Sequence, residues 1–197
     1  MLSAVVTVLL LLVFAVSAVT ALRVGYVAYA THDEAALVAE QLRWLEPVTN
    51  GDAPQRMQEQ FPEGELFQLV LTGLATANDD TRPAAARVAV IRPLLDRADS
   101  ATVRARFGGV SSPRDGAFAA GWTLLLADAL AGLSGLESDR ARIRERASDI
   151  LTALNSSSTG VLESYPGQTW PVDTVVAVAA VVRADRLAGV PGASGGI

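Results

Sequence analysis

Glu163-Ser164-Tyr165-Pro166-Gly167-Gln168-Thr169-Trp170-Pro171-Val172-Asp173 gathers two carboxylates, a phenol, an amide and an indole into one proline-framed loop. A helix is expected to start at Pro171, since proline suits the first helical turn. Two earlier stretches are built the same way: Phe61-Pro62-Glu63-Gly64-Glu65-Leu66-Phe67 and Ser112-Pro113-Arg114-Asp115-Gly116-Ala117-Phe118. Each is a Pro/Gly turn leading into a helix rich in small and aliphatic residues. Pro113 follows Pro62 by 51 positions, and Pro166 follows Pro113 by 53. Each period holds an apolar helix and then a more amphipathic one. A near-constant period containing a helical hairpin is a repeat signature. Apolar helices suit an inner layer and amphipathic ones an outer layer, which would bring the three loops to one end. The expected fold is all-α, an α/α toroid, with an irregular helical bundle as the alternative.

A closed ring of six hairpins takes roughly six such periods, because repeats need neighbours on both sides. About three are present, and the sequence runs out in Gly192-Ala193-Ser194-Gly195-Gly196-Ile197. The expectation is about half of a toroid, read either as a fragment or as a half-ring that dimerises.

Along the chain, Thr31 and Glu34 form a capping box for a helix to about Glu46. Pro47 to Pro54 reads as a turn, followed by a short helix over 55–60. Leu66, Leu69, Val70 and Leu74 fall at helical spacing in a helix from about Glu63 to Asn78. Pro83 opens another to about Arg97, and Ser100 caps a short one. A long apolar helix follows from about Gly116 to Leu133. Ser138 is expected to cap an amphipathic helix from Asp139 to Leu154, with Ile143, Ala147, Ile150, Leu151 and Leu154 inside. An Ala/Val helix from Pro171 to about Leu187 closes the pattern; no other stretch alternates as a strand would.

Leu2 to Leu22 is 21 residues without a charge. At about 1.5 Å rise per residue it is long enough to cross a bilayer core of roughly 30 Å. The domain reading is therefore 1–30 as a transmembrane helix or signal anchor with a short juxtamembrane segment, and 31–197 as the helical domain. A cleaved signal peptide is the competing reading, with Ala28-Tyr29-Ala30 as its small-x-small site. No basic region precedes the apolar run, and the run exceeds a usual signal core of about 7–15 residues.

Half of the 197 residues are hydrophobic and 6% aromatic, so the core is built from Ala, Val and Leu. All 16 basic residues are Arg, and the net charge of −5 offers no support for nucleic-acid binding. The Arg144 and Arg146 cluster is interleaved with Glu145 and Asp149 and reads as a solvated helix face. Without Cys, disulfides and thiolate chemistry are excluded. With His32 as the single His, a His-based triad or His-rich metal site is excluded too. No phosphate-cradling Gly-rich loop is present, and neither a cofactor nor a metal is expected.

Arg56-Met57-Gln58, Phe61-Pro62-Glu63-Gly64, Gly121-Trp122 and Pro166-Gly167-Gln168-Thr169-Trp170-Pro171-Val172-Asp173 resemble segments of bacterial membrane-anchored α/α-barrel proteins. Those are distantly similar in layout to the linalool dehydratase/isomerase family. The first resemblance spans most of the soluble part; the second is confined to the loop before the last helix. It implies an α/α barrel acting on a small alcohol, with cysteines in the corresponding loop. This chain has none, so Glu163 and Asp173 would stand where that family has thiols. The resemblance also implies an extracytoplasmic soluble part, against the weak cytoplasmic pull of Arg23.

The candidate catalytic residues are Glu163, Asp173 and Tyr165. Paired carboxylates divide acid and base roles when their environments separate their pKa values, and glycoside cleavage uses such a pair. Gln168, Trp170, Glu63, Arg114 and Asp115 are the candidate binding residues, with Trp170 as a stacking platform. Each has a structural alternative. Asp173, Glu63 and Glu65 suit helix first turns, Glu163 a solvated loop, and Arg114 and Asp115 a local ion pair. Trp170 and Tyr165 would pin the loop, and Trp122 suits the core. Asp128, in an apolar helix, needs a partner if buried. Two functions fit: a membrane-anchored lyase, isomerase or hydrolase with a pocket at the loops, or a non-catalytic envelope protein that binds a partner protein or polymer.

Overall fold

The computed structural model describes residues 2–29 and 34–193. Thr31 and His32 lie outside the described residues, as do Ala30 of the candidate cleavage site and Ser194 to Ile197. Among the described residues the chain is almost entirely helical, with one two-stranded hairpin. It divides into two units, residues 1–37 and 38–197.

In the first unit, α1 spans Leu2–Tyr29. Its stretch Leu10–Tyr26 is predominantly apolar, with Arg23 as its one charge, and Leu10, Val13, Phe14, Leu22 and Tyr26 are exposed.

The helix α2 covers Glu34–Asn50, and α3 covers Ala53–Gln60. The turn expected from Pro47 is thus corrected, for α2 runs through that proline to Asn50. A proline inside a helix loses its own N–H bond to the preceding turn and crowds the carbonyl four residues back, which costs about 3 kcal/mol. The residues beyond it stay helical because Thr49 is buried and bonded to Thr72 Oγ1 at 2.9 Å.

Three helices start at the three proline loops: α4 (Gly64–Ala77), α7 (Gly116–Ser134) and α9 (Pro171–Ala188). Between them lie α5 (Ala84–Ala98), α6 (Ala101–Arg104), a 3-10 turn over Ala105–Phe107, and α8 (Glu137–Ser156). The helix α7 touches α4 and α9; α5 lies against α4 and α7, and α8 against α7 and α9. The result is two rows, α4-α7-α9 and α5-α8.

The starting helices run parallel. Phe67 meets Phe118 and Trp122 near the starts of α4 and α7, while Gly73 faces Leu126 further along. Likewise Gly121 abuts Ala177, and Asp128 bonds Arg183 beyond it. A Cβ on Gly121 would lie 3.0 Å from Ala177 Cα, so these small residues set how closely α7 and α9 approach.

With neighbours on most sides, α7 buries Ala117, Leu124, Leu126, Leu130 and Ala131 completely or nearly so. It is long and apolar enough to cross a membrane, yet 67% of its apolar window is buried inside the protein. That makes it the core helix. The outer α8 buries one stripe, Ile143, Ala147, Ile150 and Leu151, with Leu154 half-buried. Burial of each such Leu or Ile is worth about 1.5–3 kcal/mol.

Ser138 does not cap α8. The helix starts at Glu137, and Ser134 instead accepts from Leu136 N at 3.2 Å and donates to Asp139 Oδ2 at 2.6 Å. The third loop also departs from expectation, forming a hairpin of β1 (Glu163–Tyr165) and β2 (Gln168–Thr169). Strands this short cannot show an alternating sequence pattern.

Candidate functional site

Each proline loop is shaped by local bonds. In the first, Gly64 N donates to Phe61 O at 2.9 Å, and the Gln58 side chain accepts from Glu65 N at 3.2 Å. In the second, Asp115 N reaches Val110 O at 3.2 Å and Gly116 N reaches Pro113 O at 2.9 Å. In the third, Gly167 takes the left-handed turn position and donates its N–H to Glu163 Oε1. Thr174 Oγ1 accepts from Leu162 N at 2.9 Å and fastens the hairpin to α9.

The three loops then meet. Gly116 sits against the Ser164 carbonyl so closely that no side chain fits, and its φ of +82° already favours glycine. Gly109 faces Pro166. The Tyr165 hydroxyl donates to Glu63 Oε1. Beneath this bond the rings interlock: Tyr165 lies 6.0 Å from Phe107 and 6.4 Å from Phe118, and Phe118 packs edge-on to Phe67 at 4.9 Å.

Tyr165 is held protonated well above the ordinary phenol range. Burial is the largest cause, followed by the bond to Glu63 and the negative charges of Glu63 and Asp173. At this position the phenol is a proton donor, with Glu63 as its acceptor. Asp173 sits in the first turn of α9, half-buried and near enough to act on Tyr165 through its charge. Glu163 serves its own turn through Gly167. Gln168 and Trp170 are exposed at the hairpin's outer edge.

Arg114 and Asp115 belong to a different place. They line a cleft of about 400 Å³ on the α8 side of the same end. They do not form the local ion pair that their adjacency suggested. Asp115 pairs with Arg104, and Arg114 N donates to Asp149 Oδ2 at 2.9 Å. Asp115 takes a left-handed backbone, φ 69°, and its carboxylate goes to Arg104 rather than to its neighbour. Across the cleft Arg146 pairs with Asp99, and Leu66, Phe107, Ala119 and Thr123 supply its floor. Arg104, Arg142, Arg146, Asp99, Glu145 and Asp149 were missed as a site. The signal was the Arg142-Glu145-Arg146-Asp149 spacing, which puts all four on one helix face.

Asp128 is buried, with Oδ2 bonded to Arg183 Nε at 2.9 Å and Oδ1 without a partner. Glu65, expected in a first turn for its charge alone, is buried and bonded by Arg97 Nε and Nη2 at 3.0 and 2.8 Å. Among the described residues, no group of three or more His, Asp or Glu is placed to hold a metal ion. No family model, no curated protein and no solved structure matches this chain.

Proposed function

We propose that this chain is a membrane-anchored arc of an α/α toroid whose loop end is a ligand site. In that site Tyr165 is the proton donor and Glu63 and Asp173 are the carboxylates that act beside it. The observation that carries the reading is the Tyr165–Glu63 bond, which joins the first and third loops over an aromatic floor. A phenol kept protonated next to a carboxylate offers a hydrogen-bond donor beside an acceptor, which suits holding and polarising a small hydroxylated molecule in chemistry of the lyase, isomerase or hydrolase type. Glu163 shapes the hairpin, while Gln168 and Trp170 border the entrance. The parallel α4, α7 and α9, backed by α5 and α8, support the toroid reading. They agree in layout with the resemblance to membrane-anchored α/α barrels. The apolar, outward-facing α1 supports the anchor, with the soluble part extracytoplasmic.

The test is a thermal-shift screen of the full chain, in detergent, against small alcohols, glycosides and hydroxy acids. At least one class is expected to raise Tm by about 2 °C or more, the response to binding of the native state alone. Tyr165→Phe and Glu63→Gln are expected to abolish that shift. A silent panel, or a shift untouched by both variants, would sink the reading.

Trp170 and Phe61 are 52% and 55% exposed, and Val172 and Val175 beside Trp170 are also exposed. That apolar rim favours a second reading, a non-catalytic envelope protein that binds a partner protein or polymer. Radical footprinting decides between the two. Protection of Trp170 in native membranes but not in the purified chain supports the second.

A further inference from the structure

The charged cleft beside the second proline loop is not used by the Tyr165 site. It holds as many arginines as carboxylates, so its lining carries no net charge. Two of its arginines are already held: Arg104 by Asp115 and Arg146 by Asp99. Those pairs fix the walls and leave little charge to offer.

The remaining groups differ. Arg114 and Glu145 are both among the residues that line the cleft, and neither forms an ion pair among the described residues. They do not bond each other either. Asp149, which accepts from Arg114 N at 2.9 Å, lies one helical turn beyond Glu145 on α8, and such neighbours stand about 5–6 Å apart. Arg114 therefore brings one guanidinium, and Glu145 and Asp149 two carboxylates, that form no ion pair among the described residues to one cavity of small-molecule size. Arg142 adds a second cation, held loosely by Asp96 at 3.6 Å, its one ion-pair partner among the described residues. A volume of about 400 Å³ is within the range of small-molecule sites and admits a dipeptide.

We propose that this cleft binds a small zwitterion of amino-acid or dipeptide size, with its carboxylate on Arg114 and its ammonium on Glu145. A purely anionic ligand would meet the unpaired Glu145, and a purely cationic one the unpaired Arg114. Only a ligand carrying both charges satisfies both groups, with charge-assisted bonds at each end.

The test is calorimetric titration of the full chain in detergent with alanyl-alanine, its N-acetyl form and its C-terminal amide. The free dipeptide is expected to bind with a Kd of roughly 1 mM or tighter, and each capped form about tenfold more weakly. Glu145→Gln should erase the penalty of N-acetylation, and Arg114→Ala that of amidation. Both side chains are exposed, and the Arg114 backbone bond survives the substitution. Capped forms that bind as tightly as the free dipeptide would overturn the zwitterion. Absence of saturable binding to the wild-type chain would overturn the site. Binding lost in Tyr165→Phe but kept in Arg114→Ala and Glu145→Gln would place the ligand at the loops and overturn the cleft.

Discussion

The Tyr165 hydroxyl donates to the Glu63 carboxylate 102 positions earlier in the chain. One bond therefore joins the hairpin before α9 to the turn before α4. It also adds to what keeps the phenol protonated: burial of the ring opposes the phenolate most, and the bond and the neighbouring carboxylate oppose it further.

Tyr165 is accordingly expected to make stability fall at alkaline pH. Its folded-state pKa lies above the ordinary value of 10.0, so the unfolded chain releases this proton first. The contribution is fully present below that ordinary value and is lost as pH rises toward the folded value. Urea midpoints measured from neutral to strongly alkaline pH should decline in the wild type and decline less in Tyr165→Phe. At neutral pH the same variant should cost about 1–2 kcal/mol, the scale of a hydrogen bond to a charged group that remains partly solvated.

Asp128 and Arg183 form an unequal pair. The carboxylate is 5% exposed and the guanidinium 59%. Burial raises the Asp128 pKa in spite of the arginine. With the folded value raised, its contribution is present below the ordinary 3.8 and is lost as pH climbs through the folded value. At neutral pH the buried charge is a cost that Arg183 offsets. Removing the arginine should therefore hurt more than removing the acid. Arg183→Ala is expected to lose about 1–3 kcal/mol in chemical denaturation, and Asp128→Asn less than 1 kcal/mol. The reverse order would show that the pair stabilises on its own account.

The inner and outer character of these helices was legible because α8 exposes one face and α7 almost none, and burial imprints that difference on spacing. The three loops were recognisable by proline and glycine. What the loops join was not. Tyr165 finds Glu63, Asp115 finds Arg104 rather than Arg114, and Asp128 finds Arg183, each through packing that no local pattern encodes. Pro47 misled for a related reason: tertiary bonds of Thr49 hold a helical turn that local propensity would end. The cleft escaped notice because arginines alternating with acids on α8 look the same whether they face water or a cavity. Glu163 and Asp173, close in sequence, have separate duties, one in the hairpin turn and one in the first turn of α9.

Acid should loosen the seam between α5 and α8. Arg92 grips Asp139 with two bonds of 3.0 and 2.8 Å, and this pairing is the main reason the Asp139 pKa is lowered. Asp79 is lowered too, first by the Thr81 hydroxyl and then by Arg82. For lowered carboxylates the contribution is present above the ordinary 3.8 and is lost as pH falls through the folded values. Stability is expected to drop below about pH 4, and Asp139→Asn should flatten that drop. Arg92→Ala should cost about 1–2 kcal/mol at neutral pH, less than a fully buried pair would, because the guanidinium is partly solvated. Melting curves across the acid range check both.

Gly116 is the position where the second and third loops touch. Its backbone is left-handed, and a Cβ there would strike the Ser164 carbonyl, which belongs to a buried residue and has no room to retreat. Gly135 is also left-handed, φ 65°, but meets nothing within 4 Å. The comparison separates backbone strain from collision. Gly135→Ala should cost about 1 kcal/mol, the strain alone. Gly116→Ala adds the clash and should cost at least 2–3 kcal/mol more, on the order of an overpacked core site. It should also pull the hairpin off its seat, so Tyr165 would lose Glu63 and its titration would move back toward that of a free phenol. Equal destabilisation by the two alanines, with Tyr165 titrating unchanged in both, would mean that the loops do not depend on this contact.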